Sequence, residues 1–159
     1  MSGDNEWVMI ERIFEAPIET VWKMWTDASL FQKWYGPNGM KIPVAEMNVS
    51  VGGSRKICME MSRGDRVMTM WFKGEYKEVN APTRLVYTES MCDAEGNILS
   101  PQSMGMPEGH PEVTEIIVEL AEESGKTHMK MVHIGVPAGS NGEGGWNQAF
   151  DKMAALVAG

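Results

Sequence analysis

Two periodicities divide this chain, and the order in which they occur limits the fold more than any other feature. Through residues 41–134, apolar side chains recur at every second position in one segment after another. Within residues 55–61, Ile57, Met59 and Met61 share one face of a strand, and Lys56 and Glu60 take the other. Residues 66–79 place Met68, Met70, Phe72, Gly74 and Tyr76 on one face, with Trp71 an apolar exception on the opposite one. Residues 41–48, 84–91, 113–121 and 127–134 read as further strands; Ile116, Val118 and Leu120 align in one, and Met129, Met131 and His133 in another. Short turns at Gly52-Gly53, Arg63-Gly64-Asp65, Ala81-Pro82-Thr83 and Ser124-Gly125 join most of them. Consecutive strands with short turns imply an antiparallel meander.

Helical spacing flanks the meander. Residues 7–14 read as a first strand that Ala16-Pro17 breaks. Pro17 opens a helix over residues 17–25 carrying Val21, Trp22 and Trp25, because proline at the first helical position loses no hydrogen bond. Thr26-Asp27 offers a cap for a second, short helix with Leu30, Phe31 and Trp34, which Gly36-Pro37 ends. At the far end Trp146, Ala149, Phe150, Met153, Ala154 and Val157 recur at the spacing of one helix face. That helix is expected to start near residues 144–146, after a flexible glycine-rich hinge over residues 137–145 that includes Gly142, Gly144 and Gly145. Residues 92–111 are expected to form a long loop, of the length that is either functional or disordered.

The expected fold is therefore α+β, a single domain over residues 1–159. A curved antiparallel sheet of six to seven strands wraps around a long C-terminal helix, with two short helices after the first strand. One helix cannot cover the whole inner face of such a sheet. The gap between them is where a ligand would sit.

Charge and composition exclude several function classes. The net charge of −8, with no Lys/Arg run, argues against nucleic acid or an anionic membrane surface as partner. No stretch of 18 apolar residues is present to span a membrane. The polar, acidic start over residues 1–6 is unlike a signal peptide, and Cys58 and Cys92 form no CxxC motif. A cytoplasmic protein with reduced thiols is expected. The 15 methionines suit either an adaptable cavity wall or an ordinary core.

No catalytic constellation is legible. Of the three histidines, His110 falls in the loop, and His128 and His133 point to opposite faces of one strand, so no metal-ligand spacing arises. The Met-x-Met pairs fit a buried strand face better than a copper site. Neither a metal nor a cofactor is expected. Glu60 and Glu75 read as outer, solvated charges. The cavity wall is expected to comprise Trp34, Arg55, Met59, Met70, Phe72, Tyr76, Met131, His133, Trp146 and Phe150. Arg55, Tyr76 and His133 place polar ends on an otherwise apolar face, the arrangement that orients a ligand in an apolar pocket.

Phe14-Glu15-Ala16-Pro17, Val21-Trp22, Trp25-Thr26-Asp27 and Trp34-Tyr35-Gly36-Pro37 together resemble the opening of the SRPBCC superfamily, the START and birch-pollen-allergen-like helix-grip proteins. Gly52-Gly53, Gly74-Glu75-Tyr76, Arg84-Leu85-Val86 and Gly145-Trp146 extend the resemblance to nearly the whole chain. It is strongest to the branch related to the C-terminal domain of the heat-shock chaperone ATPase activators. The resemblance implies a cavity under the last helix and, often, a hydrophobic ligand in it. With no catalytic constellation legible, binding of a small hydrophobic ligand without catalysis is expected. It also keeps open a chaperone-binding module and a cyclase- or hydrolase-like enzyme, for which His133 is the one local candidate. Trp71, at an outward position, would suit a homodimer interface.

Overall fold

The computed structural model describes residues 6–104 and 111–158. Seven strands among them form one antiparallel sheet: β1 (Trp7–Phe14), β2 (Met40–Met47), β3 (Ser54–Arg63), β4 (Arg66–Asn80), β5 (Arg84–Cys92), β6 (Thr114–Glu123) and β7 (Lys126–Pro137). Their spatial order is β1-β7-β6-β5-β4-β3-β2. The meander thus runs from β2 to β7, and β1 returns to pair with the last strand. Helices α1 (Ile18–Thr26) and α2 (Ala28–Trp34) carry the chain from one sheet edge to the other, and α3 (Asn141–Ala158) closes the concave face.

Local signals explain each junction. Asp27 caps α2 as its sequence position suggests, its carboxylate accepting from the backbone N–H of Ser29 and Leu30 and from the Ser29 hydroxyl. Those bonds hold its carboxyl below the ordinary aspartate range, the Ser29 hydroxyl contributing most. The start of α1 is capped from a distance: Ile18 N–H donates to Glu122 Oε1 at 2.8 Å. Arg12 ties β1 to α3 through Asp151, at 2.9 Å, and the Asn147 carbonyl. Gly74 lies opposite Arg55 where β4 bends at a bulge near Tyr76, and a Cβ there would overlap the Thr88 carbonyl oxygen. Only glycine lets β4 and β5 approach so closely.

Three expectations change. The final helix begins at Asn141, so Gly142, Gly144 and Gly145 are helical rather than a hinge. Close packing accounts for the glycine only at Gly142, where a Cβ would press on Val136; at Gly145 a Cβ would make ordinary contact with Pro37, and at Gly144 it would meet nothing within 4 Å. The tip of β4 is exposed, with Val67 at 62% and Met68 at 57%, because no helix reaches that far. The segment after β5 is not featureless. Ile98 bridges back to Cys92, and Pro101–Met104 forms a 3-10 turn. His110 and Met106 lie outside the described residues. None of the described helices is long and apolar enough to cross a membrane.

Most of the space beneath α3 is filled by rings. Trp25 of α1, Phe31 and Trp34 of α2, Tyr35 just beyond it, and Trp146 and Phe150 of α3 form one continuous aromatic cluster. Apolar residues of every strand face it.

Candidate functional site

At one end of that cluster the filling stops. A cavity of about 150 Å³ opens between the first turns of α3 and strands β3, β5 and β7. Tyr35, Gly36 and Pro37 line it from the end of α2, and Met59, Glu89 and His133 from the sheet. Asn141, Gly142, Gly145, Trp146 and Ala149 of α3 complete the wall. Gly142 keeps α3 close to Val136 there, and Gly145 faces Pro37 across the wall.

One side of the cavity backs onto a buried charge pair. Arg55 is 2% exposed and Glu89 8%. Arg55 Nη1 donates to Glu89 Oε2 at 3.4 Å, and Arg55 Nε to the Tyr76 hydroxyl at 3.4 Å. The Arg55 guanidinium stacks 3.8 Å from the Tyr87 ring centroid and lies within 6 Å of the rings of Phe31, Tyr76 and Tyr35. Tyr35 donates its one hydroxyl proton to Glu89 Oε2 at 3.1 Å, so Tyr87 donates to Tyr35, also at 3.1 Å.

The electrostatics follow from burial. Burial raises the Glu89 carboxyl above its ordinary value, and the opposing pull of Arg55 and Tyr35 does not cancel it. Tyr35 is pushed well up by burial and by the adjacent Glu89 and Tyr87. Burial works against the Arg55 charge, but the surrounding tyrosine and carboxylate oxygens outweigh it, and Arg55 stays protonated.

A chain of hydrogen bonds that reaches the Glu89 backbone through Thr114 fixes His133. Trp146 Nε1 donates to His133 Nδ1 at 3.0 Å. Thr114 Oγ1 donates to the Glu89 carbonyl at 3.1 Å, so its remaining contact, 2.9 Å from His133 Nε2, is accepted from the imidazole. Gly135, at φ +109°, packs its bare Cα against Thr114 and Pro111 and holds this arrangement in place.

The ten residues singled out from the sequence separate into groups. Met59, His133 and Trp146 line the cavity. Arg55 and Tyr76 stand behind it, joined to it through Glu89. Trp34, Met131 and Phe150 are fully buried in the core, and Trp34 Nε1 is satisfied by the Met24 carbonyl at 2.8 Å. Phe72 lies on the inner sheet face opposite Ile57 and Met91. Met70 instead lines a second pocket of about 250 Å³ with Trp71, Met91, Cys92 and Leu99. Trp71 is half-buried, with Lys56 Nζ 5.0 Å above its ring.

Sequence reasoning missed Glu89, Tyr87 and Thr114. A signal was present for Glu89. It shares the strand parity of Leu85, Tyr87 and Met91, so it is a charge on an apolar face, as Arg55 is. Among the described residues no cluster of His, Cys, Asp and Glu is arranged to hold a metal ion.

A curved antiparallel sheet gripping a long helix, with a cavity beneath the start of that helix, defines a helix-grip domain of the SRPBCC type. The chain belongs to the activator of Hsp90 ATPase homolog 1-like protein family, whose model matches residues 15–158. Solved structures agree. A crystal structure of a protein from Chromobacterium violaceum is 26% identical, with TM-score 0.77 and 96% of each chain covered. A family protein from Silicibacter pomeroyi, 18% identical, has TM-score 0.70 over 94% of this chain and 96% of that one. A similar protein from Aeromonas hydrophila, 22% identical, has TM-score 0.66 over 94% and 92%. The last two likenesses bear on fold alone. No curated protein matches the sequence.

Proposed function

We propose that this domain binds a small, largely apolar molecule in the cavity beneath α3. The observation that carries this reading is the cavity itself, about 150 Å³ left unfilled in an otherwise closely packed aromatic core. Its volume is about that of an engineered apolar cavity that takes up benzene, so the space within its walls accommodates one ring. Its wall is apolar apart from a few convergent polar groups, the usual composition of a small-molecule site. Both nitrogens of His133 are engaged in that chain of hydrogen bonds, which favours binding over His133-based acid–base chemistry.

Native mass spectrometry before and after denaturation tests the reading directly. A small molecule released on unfolding supports it. Gly145→Leu supplies the control, because a side chain there grows toward Pro37 across the cavity mouth. Retention of the same molecule by that variant would place it elsewhere.

The family description favours a second reading, a module that engages a chaperone ATPase domain. The exposed apolar tip formed by Val67 and Met68 offers such a surface. Pull-down with that ATPase domain, together with its hydrolysis rate, separates the two. Neither association nor stimulation would remove the chaperone reading.

A further inference from the structure

The two oxygens of Glu89 are used unequally. Oε2 accepts from both Tyr35 and Arg55. Oε1 accepts from no described residue, although the side chain is more than nine-tenths buried and lines the cavity. Oε1 is not among the fully buried polar atoms that lack a partner, so it is open to accessible space beside the cavity that Glu89 lines. A ligand donor entering there can take the place of water.

We propose that the cavity selects a neutral single-ring aromatic molecule carrying one hydroxyl or N–H donor, and that Glu89 Oε1 accepts from that donor. The proposal rests on the ligand-binding reading above and names the ligand's chemistry. Charge decides against the ionic alternatives. An anionic ligand would bring its charge against the Glu89 carboxylate. A cationic one would approach Arg55, which already neutralises that carboxylate and cannot shed its own proton. A neutral donor supplies the missing hydrogen bond without adding a charge. Size and shape decide for one ring. The volume is that of a benzene site. Tyr35 and Trp146, in edge-to-face contact at 5.4 Å, present aromatic surface, and Met59 and Pro37 supply the apolar remainder.

The test is calorimetric titration of the full chain with four probes: phenol, toluene, benzoate and benzylammonium. Phenol is expected to bind at least about ten-fold more tightly than toluene, the value of one hydrogen bond to a charged acceptor. Benzoate and benzylammonium are expected to bind more weakly than phenol. Replacing the pair together, Arg55→Met with Glu89→Leu, is expected to keep toluene binding and erase the phenol preference. Glu89→Gln, closer in shape, is expected to reduce that preference several-fold and serves if the double variant fails to fold. Equal affinity for phenol and toluene, or tighter binding of either ion, would overturn this proposal and leave the cavity reading standing. Failure of all four probes to bind would overturn both.

Discussion

Trp146 Nε1 donates to His133 Nδ1 at 3.0 Å, and this single bond, made between α3 and β7, decides the state of the imidazole. A nitrogen that accepts an indole N–H carries no proton. His133 is therefore the neutral Nε2–H tautomer, donating to Thr114. Nitrogen-15 shifts of the ring should report a protonated Nε2 and a bare Nδ1. Trp146→Phe removes this indole donor and should cost about 1–3 kcal/mol in denaturant unfolding. It should also shift the ring away from the single-tautomer pattern. An unchanged spectrum would mean that the indole does not set the tautomer.

The Arg55–Glu89 pair predicts strong non-additivity. Glu89→Leu alone leaves a buried guanidinium without its carboxylate and should cost about 3–5 kcal/mol. Arg55→Met combined with Glu89→Leu replaces both charges by apolar groups and should cost far less than the sum of the single changes. Urea midpoints of the four proteins in the cycle measure it. Additive costs would mean that Tyr76 and Tyr35, not the ion pair, carry the stability.

Glu89 also predicts a pH dependence. Its folded-state pKa lies above the ordinary 4.5, because burial outweighs Arg55 and Tyr35. A raised value means that the folded state holds the proton more tightly than the unfolded chain does. The resulting stability is complete below 4.5 and is lost as pH rises through the folded value. The stability of wild type relative to Glu89→Gln should therefore fall as pH increases upward from 4.5, and then level off. Chemical denaturation of both proteins across that range gives the difference directly. A difference that grew with pH would show Arg55 to dominate instead.

Strand and helix order was legible because both periods are long and well separated. The meander of β2 to β7 and the apolar stripe of Trp146, Phe150 and Met153 follow from them. Arg55 and His133 were legible as polar groups on apolar faces, and both prove buried. Glu89 gave the same signal but sits in a strand whose other face is also largely buried, which blurs the alternation. The extent of filling beneath α3 was not legible. Periodicity assigns a residue to the concave face but does not say which neighbour occupies the space beside it. Trp34 and Phe150 therefore meet each other, 6.0 Å apart, in the core. The early start of α3 was hidden by its glycines, although Ser140 and Glu143 stand at capping-box spacing. The box is only half formed: the Glu143 carboxylate accepts from Gly139 N–H at 2.9 Å, and the Ser140 hydroxyl makes no hydrogen bond with any described residue.

Those glycines give the last prediction, because two of them should respond oppositely to the same change. At Gly145 a Cβ would meet Pro37 at 3.4 Å and beyond, which is ordinary contact. The backbone is helical, so Gly145→Ala should stabilise by about 0.5–1 kcal/mol through reduced freedom of the unfolded chain. At Gly142 a Cβ would lie 2.7 Å from Val136 Cγ1, closer than packed carbons approach. Gly142→Ala must displace either Val136 or the first turn of α3, and the helix-propensity gain should be cancelled or reversed. Thermal unfolding of the two variants measures the contrast. Equal stabilisation at both positions would mean that the start of α3 yields easily, and the cavity beneath it would then be adjustable in width rather than fixed by this contact.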